Sequence, residues 1–118
     1  MMRPIHAFKN SCNGLRLAWV EDHSFRNSSW QVFWGILLAT VLVAYNHWSV
    51  WMWLIMAGSM FPIVIVETIN TSIEAVTDKA SPERSPLAKK AKDIGSAAVL
   101  LTRCLALICW VVAIIGHA

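Results

Sequence analysis

Long apolar stretches dominate the pattern of hydrophobic and polar positions along the chain. From Asn27 to Val66 there is no Asp, Glu, Lys or Arg, and this stretch is about twice as long as the roughly 20 residues that one transmembrane helix needs. Its polar cluster near the middle is Tyr-Asn-His at 45–47, so we predict two spans joined there by a tight hairpin. A third apolar run covers 94–115 and is interrupted by Arg103. The pattern predicts an all-α integral membrane protein with three transmembrane helices packed as a helical bundle.

The remaining elements follow from turn signals and from the spacing of apolar residues. Before the first span, apolar residues recur at helical spacing with polar residues between them, which indicates an N-terminal amphipathic helix on the membrane surface; a soluble amphipathic helix packed on a partner is the alternative. Ser85 followed by Pro86 is typical of a helix start, with Ser as the N-cap and Pro in the first turn. As one domain over 1–118, the predicted elements are the surface helix at 5–26, span 1 at 30–45, span 2 with a cytoplasmic extension at 48–79, a cytoplasmic loop at 80–86 and helix 3 with its span at 87–117.

Composition and charge support this topology. Hydrophobic residues make up 57% of the chain and charged residues 14%, whereas a soluble domain has about 25% charged residues. Apart from Arg103, the Lys and Arg residues lie before the first span and between the second and third spans. The positive-inside rule therefore predicts a cytoplasmic N-terminus and a C-terminus outside. The three Cys residues form no CxxC pair and predict neither a disulfide framework nor a zinc site, and we expect no nucleic-acid partner.

A stripe of polar residues crosses the end of the second span. At 100° per residue, five polar side chains fall within about 100° of the helix circumference, and three of them are carboxylates. Each carboxylate costs on the order of 2.5 kcal/mol at the centre of a bilayer and less near its edge. We therefore expect the stripe to face a polar cleft, cations or other protein groups; a solvated acidic face on a cytoplasmic extension is the alternative. The stripe consists of Glu67, Asn70, Thr71, Glu74 and Asp78.

A basic segment opens the third helix opposite this stripe. In an antiparallel hairpin that closes at 79–86, Lys92 lies close to the depth of Glu74, and the small residues at 95–98 let the two backbones approach closely. Lysines that only signal topology are the alternative interpretation. The pattern predicts that Lys92 lies beside the carboxylates.

This set of groups suits phosphoryl transfer. Carboxylates bind Mg²⁺, which in turn holds nucleotide phosphates, a lysine neutralises phosphoryl oxygens, and a free carboxylate accepts a proton from a hydroxyl. Buried acids in a small membrane hairpin also occur in proton-coupled transporters. A transporter and a non-catalytic membrane assembly factor therefore stay open as alternatives at this point.

Two motifs resemble those of the bacterial integral-membrane diacylglycerol kinases. Residues 67–78, ETINTSIEAVTD, are similar to the family signature E-x-x-N-x-x-I-E-x-x-x-D, and residues 91–99, AKDIGSAAV, are similar to its second motif A-K-D-x-G-S-A-A-V. A weaker similarity covers NGLRLAW at 13–19 with Phe25 and Arg26. The resemblance extends over roughly residues 11–112.

The resemblance implies a homotrimer in the bacterial inner (cytoplasmic) membrane that uses ATP and Mg²⁺ to phosphorylate diacylglycerol, giving phosphatidic acid. It implies Glu67 as the catalytic base and Glu74 with Asp22 as the metal ligands. The residues that it implies for ATP binding are Arg3, Asp22, Glu74, Asp78, Lys92 and Asp93. Those that it implies for the lipid substrate are Phe25, Arg26, Glu67, Asn70, Ser96 and Trp110.

The chain departs from the family pattern at three positions. Asp22, with Glu21 beside it, stands where the family usually has Glu; Ser28 stands where it has a second acid. Arg103 stands where an apolar residue is expected, and we predict that it faces the bundle or snorkels. Related enzymes phosphorylate undecaprenol, and no single residue of this chain decides between that acceptor and diacylglycerol.

Overall fold

The computed structural model describes residues 3–117, and within that range the chain is helical and has no strands. Short turns connect the helices, so that successive elements lie side by side. The helices are α1 (Pro4–Glu21), α2 (His23–Asn46), α3 (Val50–Gly58), α4 (Phe61–Ala80) and α5 (Pro86–His117).

Three helical segments are long and apolar enough to cross a membrane. They are α2 with 24 residues, α3 and α4 together with 31 residues, and α5 with 32 residues. The prediction of an all-α protein with three spans is thereby confirmed. The first span is part of a longer helix than predicted, because α2 begins at His23 and not near residue 30.

The N-terminal helix ends earlier than predicted. We expected it to run over 5–26, but α1 ends at Glu21, and Asp22 has an extended conformation (φ −115°, ψ 111°). Phe25 and Arg26 therefore belong to the first turn of α2. The physical reason is that the Asp22 side chain caps a new helix, which favours a helix start over continuation.

The hairpin between the first two spans lies where the sequence predicts it. α2 ends at Asn46, and His47 adopts the left-handed conformation (φ 55°, ψ 36°). The Trp48 N–H then donates to the Val43 carbonyl at 3.0 Å, which is the hydrogen bond of a Schellman C-cap.

The second span is interrupted, which the sequence analysis did not predict. α3 ends at Gly58, and α4 begins at Phe61 with Pro62 in its first turn. Pro62 has no N–H to donate and its ring clashes with the preceding turn, so the ladder of helical hydrogen bonds stops there. The predicted start of helix 3 is confirmed, since Ser85 Oγ accepts from the Ala88 N–H at 3.0 Å.

Small and branched side chains form the core where the helices cross. Ala39, Met56, Ala57 and Ala113 are buried in one cluster, against which Trp110 packs. A second cluster of Val32, Ile63 and Ala106 lies beside it. The most extensive helix pair is α4 with α5, and α2 packs on both α3 and α4. This arrangement places the polar stripe of α4 between α2 and α5.

Candidate active site

Asp22 lies at the junction of α1 and α2, and its side chain connects this junction to α4. Its Oδ1 accepts hydrogen bonds from the backbone N–H groups of Ser24 (2.9 Å) and Phe25 (3.3 Å). Its Oδ2 accepts a hydrogen bond from Thr71 Oγ1 at 2.6 Å. Asp22 is therefore an N-cap whose second oxygen is held beside the polar stripe of α4.

Glu67 is the most deeply buried acid of the stripe, with 4% of its surface exposed. Its Oε2 accepts a hydrogen bond from Ser28 Oγ at 2.7 Å. Ser28 Oγ in turn accepts one from Arg103 Nη2 at 2.8 Å. Two of the three departures from the family pattern, Ser28 on α2 and Arg103 on α5, thus meet at the carboxylate that the resemblance implies as the base.

Asn70 and Glu74 form the next polar pair along α4. Asn70 Nδ2 donates to Glu74 Oε1 at 3.2 Å. Asn70 Oδ1 is buried without a hydrogen-bond partner, and it occupies the space that a Cβ on Gly95 would need. The absence of a side chain at Gly95 therefore lets α5 approach α4 closely enough to fix the Asn70 amide.

Two ion pairs lie at the end of the stripe. Lys92 pairs with Asp78 across α4 and α5, and Lys89 Nζ pairs with Asp93 Oδ2 within α5 at 2.6 Å. The prediction that Lys92 lies beside the acids is confirmed, as is the prediction that the stripe faces other protein groups at Glu67.

A cleft of about 670 Å³ runs along this polar surface. Its walls come from α2, α4 and α5, and they combine carboxylates, amides, two hydroxyls and one guanidinium. A second cleft of about 670 Å³ lies at the turn between α4 and α5 and shares Asp93 with the first. The residues that line the first cleft include Asn27, Gln31, Glu67, Asn70, Glu74, Asp93, Ser96 and Arg103.

The model of the prokaryotic diacylglycerol kinase family matches residues 9–114. The chain belongs to this family. That membership confirms the prediction of an enzyme of the lipid kinase class and favours it over the transporter and the assembly factor. The two motifs, at 67–78 and 91–99, lie on α4 and α5, and both helices contribute to the walls of the polar cleft.

Several relatives cover most of this kinase. A diacylglycerol kinase from Escherichia coli is 36% identical over 115 residues, which are 98% of this chain and 91% of that protein. One from Helicobacter pylori is 41% identical over 91 residues, which are 77% of this chain and 68% of that protein. One from Haemophilus influenzae is 28% identical over 106 residues, which are 90% of this chain and 86% of that protein.

The structure of the kinase brings together most of the residues that the resemblance implies. Glu67, Asn70, Glu74, Asp93 and Ser96 line the first cleft. Asp78, Lys92 and Asp93 line the second cleft, at the turn. Asp22 lines neither of these two clefts, and it contacts the polar stripe of α4 through Thr71.

Other implied residues have structural contacts away from the cleft. Arg3 precedes α1, about 28 Å along the helix axis from Asp22 at 1.5 Å per residue. Phe25 is buried with 4% exposure. Arg26 Nη1 donates to the carbonyls of Trp19 (2.7 Å) and Val20 (3.0 Å), and so caps the end of α1.

Trp110 lies in an apolar pocket beside the polar cleft. Its Nε1 donates to the Met56 carbonyl at 2.9 Å. The pocket has a volume of about 350 Å³ and shares Gln31 and Arg103 with the polar cleft. Gln31 and Ser28 have no role predicted from the sequence; for Gln31 the available signal is a polar residue within an apolar span.

The carboxylates of the kinase suit a metal ion that takes most of its ligands from water and substrate phosphates. Among residues 3–117, no group of three or more His, Cys, Asp or Glu side chains is arranged to hold a metal ion. Mg²⁺ is commonly bound by one or two carboxylates together with waters and substrate phosphates. Asp22 and Glu74 fit that pattern, because Asp22 contacts Thr71 on α4 and Glu74 lies on the same helix one turn further on.

Proposed function

We propose that this chain is an ATP-dependent diacylglycerol kinase that converts 1,2-diacylglycerol to phosphatidic acid. Family membership supports the class of reaction. The observation that carries the proposal is the burial of Glu67 at the wall of a polar cleft. A buried carboxylate beside a cleft can accept a proton from a bound hydroxyl without competition from bulk water.

Glu67 is the proposed general base for the lipid hydroxyl. Oε2 is held by Ser28, which leaves Oε1 for the substrate. As Oε1 accepts the hydroxyl proton, the alcohol oxygen bonds to the γ-phosphorus of ATP, and the bond from that phosphorus to the bridging oxygen of ADP breaks. Asn70 and Ser96 line the same cleft and position the glycerol oxygens.

The nucleotide is proposed to lie toward the turn between α4 and α5. Asp78, Lys92 and Asp93 line the cleft there, and Lys92 can neutralise phosphate oxygens. Arg3 joins this set only if α1 or another subunit brings it near. Asp22 and Glu74 would hold Mg²⁺, which supplies charge neutralisation to the phosphates.

The acyl chains are proposed to occupy the apolar pocket that contains Trp110. This pocket shares Gln31 and Arg103 with the polar cleft, which supports placing an acyl chain beside Trp110 when the lipid hydroxyl is at Glu67. Phe25 and Arg26 act indirectly, because they fix the junction between α1 and α2.

The assembly and its orientation are also proposals. We propose that α1 lies on the inner membrane surface as an amphipathic helix, and that three chains form a homotrimer of the bacterial inner membrane. The Lys and Arg residues flank the cytoplasmic side of this arrangement, which gives the clefts access to ATP.

The test is an acceptor competition with radiolabelled ATP and the full chain in mixed micelles. Diacylglycerol, undecaprenol and ceramide are offered together, and we expect label in phosphatidic acid. Glu67→Gln should lower kcat by about 10²–10⁴-fold. Ser72→Ala is the matched control on α4, since Ser72 Oγ donates to the Ile69 carbonyl of its own helix. Preferential labelling of undecaprenol would show that undecaprenol, and not diacylglycerol, is the acceptor. A fully active Glu67→Gln variant would show that Glu67 is not the base.

A further inference from the structure

Arg103 and Ser28 form a hydrogen-bonded chain that ends on Glu67. Ser28 is fully buried, with 0% of its surface exposed, and it contributes one hydroxyl that both accepts and donates. Arg103 Nη2 donates to Ser28 Oγ at 2.8 Å, and Ser28 Oγ donates to Glu67 Oε2 at 2.7 Å. The chain crosses three helices, α5, α2 and α4.

The direction of these hydrogen bonds is fixed by the chemistry of the groups. An arginine has only donors and keeps its charge, and a carboxylate has only acceptors. The serine hydroxyl must therefore accept from Arg103 and donate to Glu67. Hydrogen bonds in such chains polarise one another, so the positive charge of Arg103 strengthens the contact between Ser28 and the carboxylate.

The location of Arg103 argues against a snorkelling side chain. A charged residue within an apolar span is costly unless it faces the protein interior and has a partner. Arg103 lines both the polar cleft and the apolar pocket, and its partner lies on another helix. Arg103 is itself exposed, but its guanidinium reaches the buried Ser28 on α2.

We propose that Arg103 is a positioning residue that acts through Ser28 to orient the Glu67 carboxylate for proton transfer. The inference rests on the proposed role of Glu67 as the base. Fixing Oε2 from the α2 side leaves Oε1 for the hydroxyl of the lipid. Neither Arg103 nor Ser28 needs to contact the nucleotide for this role.

The test is a mutant cycle on the full chain in mixed micelles, with diacylglycerol and ATP. Arg103→Met and Ser28→Ala should each lower kcat by about 10- to 100-fold, the range for one hydrogen bond in a charged network. The double variant should lose no more than either single variant, because both break the same chain. The KM for ATP should stay unchanged, and Arg103→Lys should recover most of kcat, because a lysine also donates to Ser28.

A control variant on α5 and a second pair of variants at Ser28 separate the proposed role from a loss of folding. Thr102→Ala is the control on α5, since Thr102 Oγ1 donates to the Val99 carbonyl of its own helix, and we expect unchanged kcat. Three results would each overturn the inference. They are a kcat loss in the double variant that equals the product of the two single losses, an unchanged kcat in Arg103→Met, and kcat losses that parallel a fall in the thermal midpoint of each variant. If Arg103→Met fails to fold, Ser28→Ala compared with Ser28→Thr, which keeps the hydroxyl, decides it. A fully active Glu67→Gln would instead overturn the base itself.

Discussion

Asp22 shows how one side chain can serve both folding and chemistry. Its Oδ1 caps α2 through two backbone N–H groups, and its Oδ2 accepts a hydrogen bond from Thr71. The resemblance implies a metal ligand at this position, whereas the local geometry is that of an N-cap. The two roles are compatible because carboxylate oxygens retain further lone pairs for a cation.

Comparing Asp22→Asn with Asp22→Ala should separate these two roles. Asn is as good an N-cap as Asp, so Asp22→Asn should keep the thermal midpoint, whereas Asp22→Ala should lose about 1 kcal/mol of unfolding free energy. If the carboxylate also holds Mg²⁺, Asp22→Asn should raise the Mg²⁺ concentration for half-maximal activity by at least about 10-fold. The readouts are thermal unfolding and a Mg²⁺ titration of activity. An unchanged titration in Asp22→Asn would limit Asp22 to capping.

The pairing of α4 with α5 determines the geometry of the stripe. Gly95 is the point of closest approach, since the Asn70 carbonyl oxygen fills the space of its missing Cβ. The Asn70 amide is then oriented toward Glu74. A helix crossing thus sets the position of a proposed metal ligand through one intervening side chain.

Gly95→Ala should therefore damage both stability and activity. The new methyl group would meet Asn70 Oδ1, and relieving such overpacking typically costs about 1–3 kcal/mol of unfolding free energy. We expect kcat to fall by about 10-fold or more as Glu74 loses its orientation. The measurements are thermal unfolding in detergent and the kinase assay.

Gly116→Ala is the control on the same helix, because nothing lies within 4 Å of its Cβ position. It should leave activity unchanged and raise stability by up to about 1 kcal/mol through helix propensity. Equal effects at the two glycines would contradict the proposed role of the crossing.

The whole molecule leaves most of its apolar surface uncovered. Buried residues make up 17% of the most apolar window of the first span, 28% of that in the second and 11% of that in the third. Lipid tails cover such surfaces as readily as protein does, so association in a membrane depends on close packing and polar contacts. An uncovered apolar surface is thus compatible with self-association and does not require it.

We expect native mass spectrometry of the detergent-solubilised full chain to find a species of three chains. The active fractions from size separation should coincide with that species, because we propose the trimer as the functional assembly and Arg3 lies far from the nucleotide site of its own chain along α1. Full activity in a fraction that contains only single chains would contradict the trimer. Arg3→Ala tests the shared site: a raised KM for ATP with unchanged kcat is expected if Arg3 contacts the nucleotide.

The sequence by itself determined the three spans, the hairpin at 45–47 and the acidic stripe. These depend on hydropathy, turn chemistry and helical periodicity, all of which are local along the chain. The break between α3 and α4 also has a local signal, which is Pro62 itself. Only the tertiary structure decided that Arg103 connects to Glu67 through Ser28. Arg103 and Ser28 are 75 positions apart in the sequence, and Ser28 and Glu67 are 39 positions apart. Which side chains meet across α2, α4 and α5 depends on how the helices cross, and periodicity within one helix does not specify that crossing.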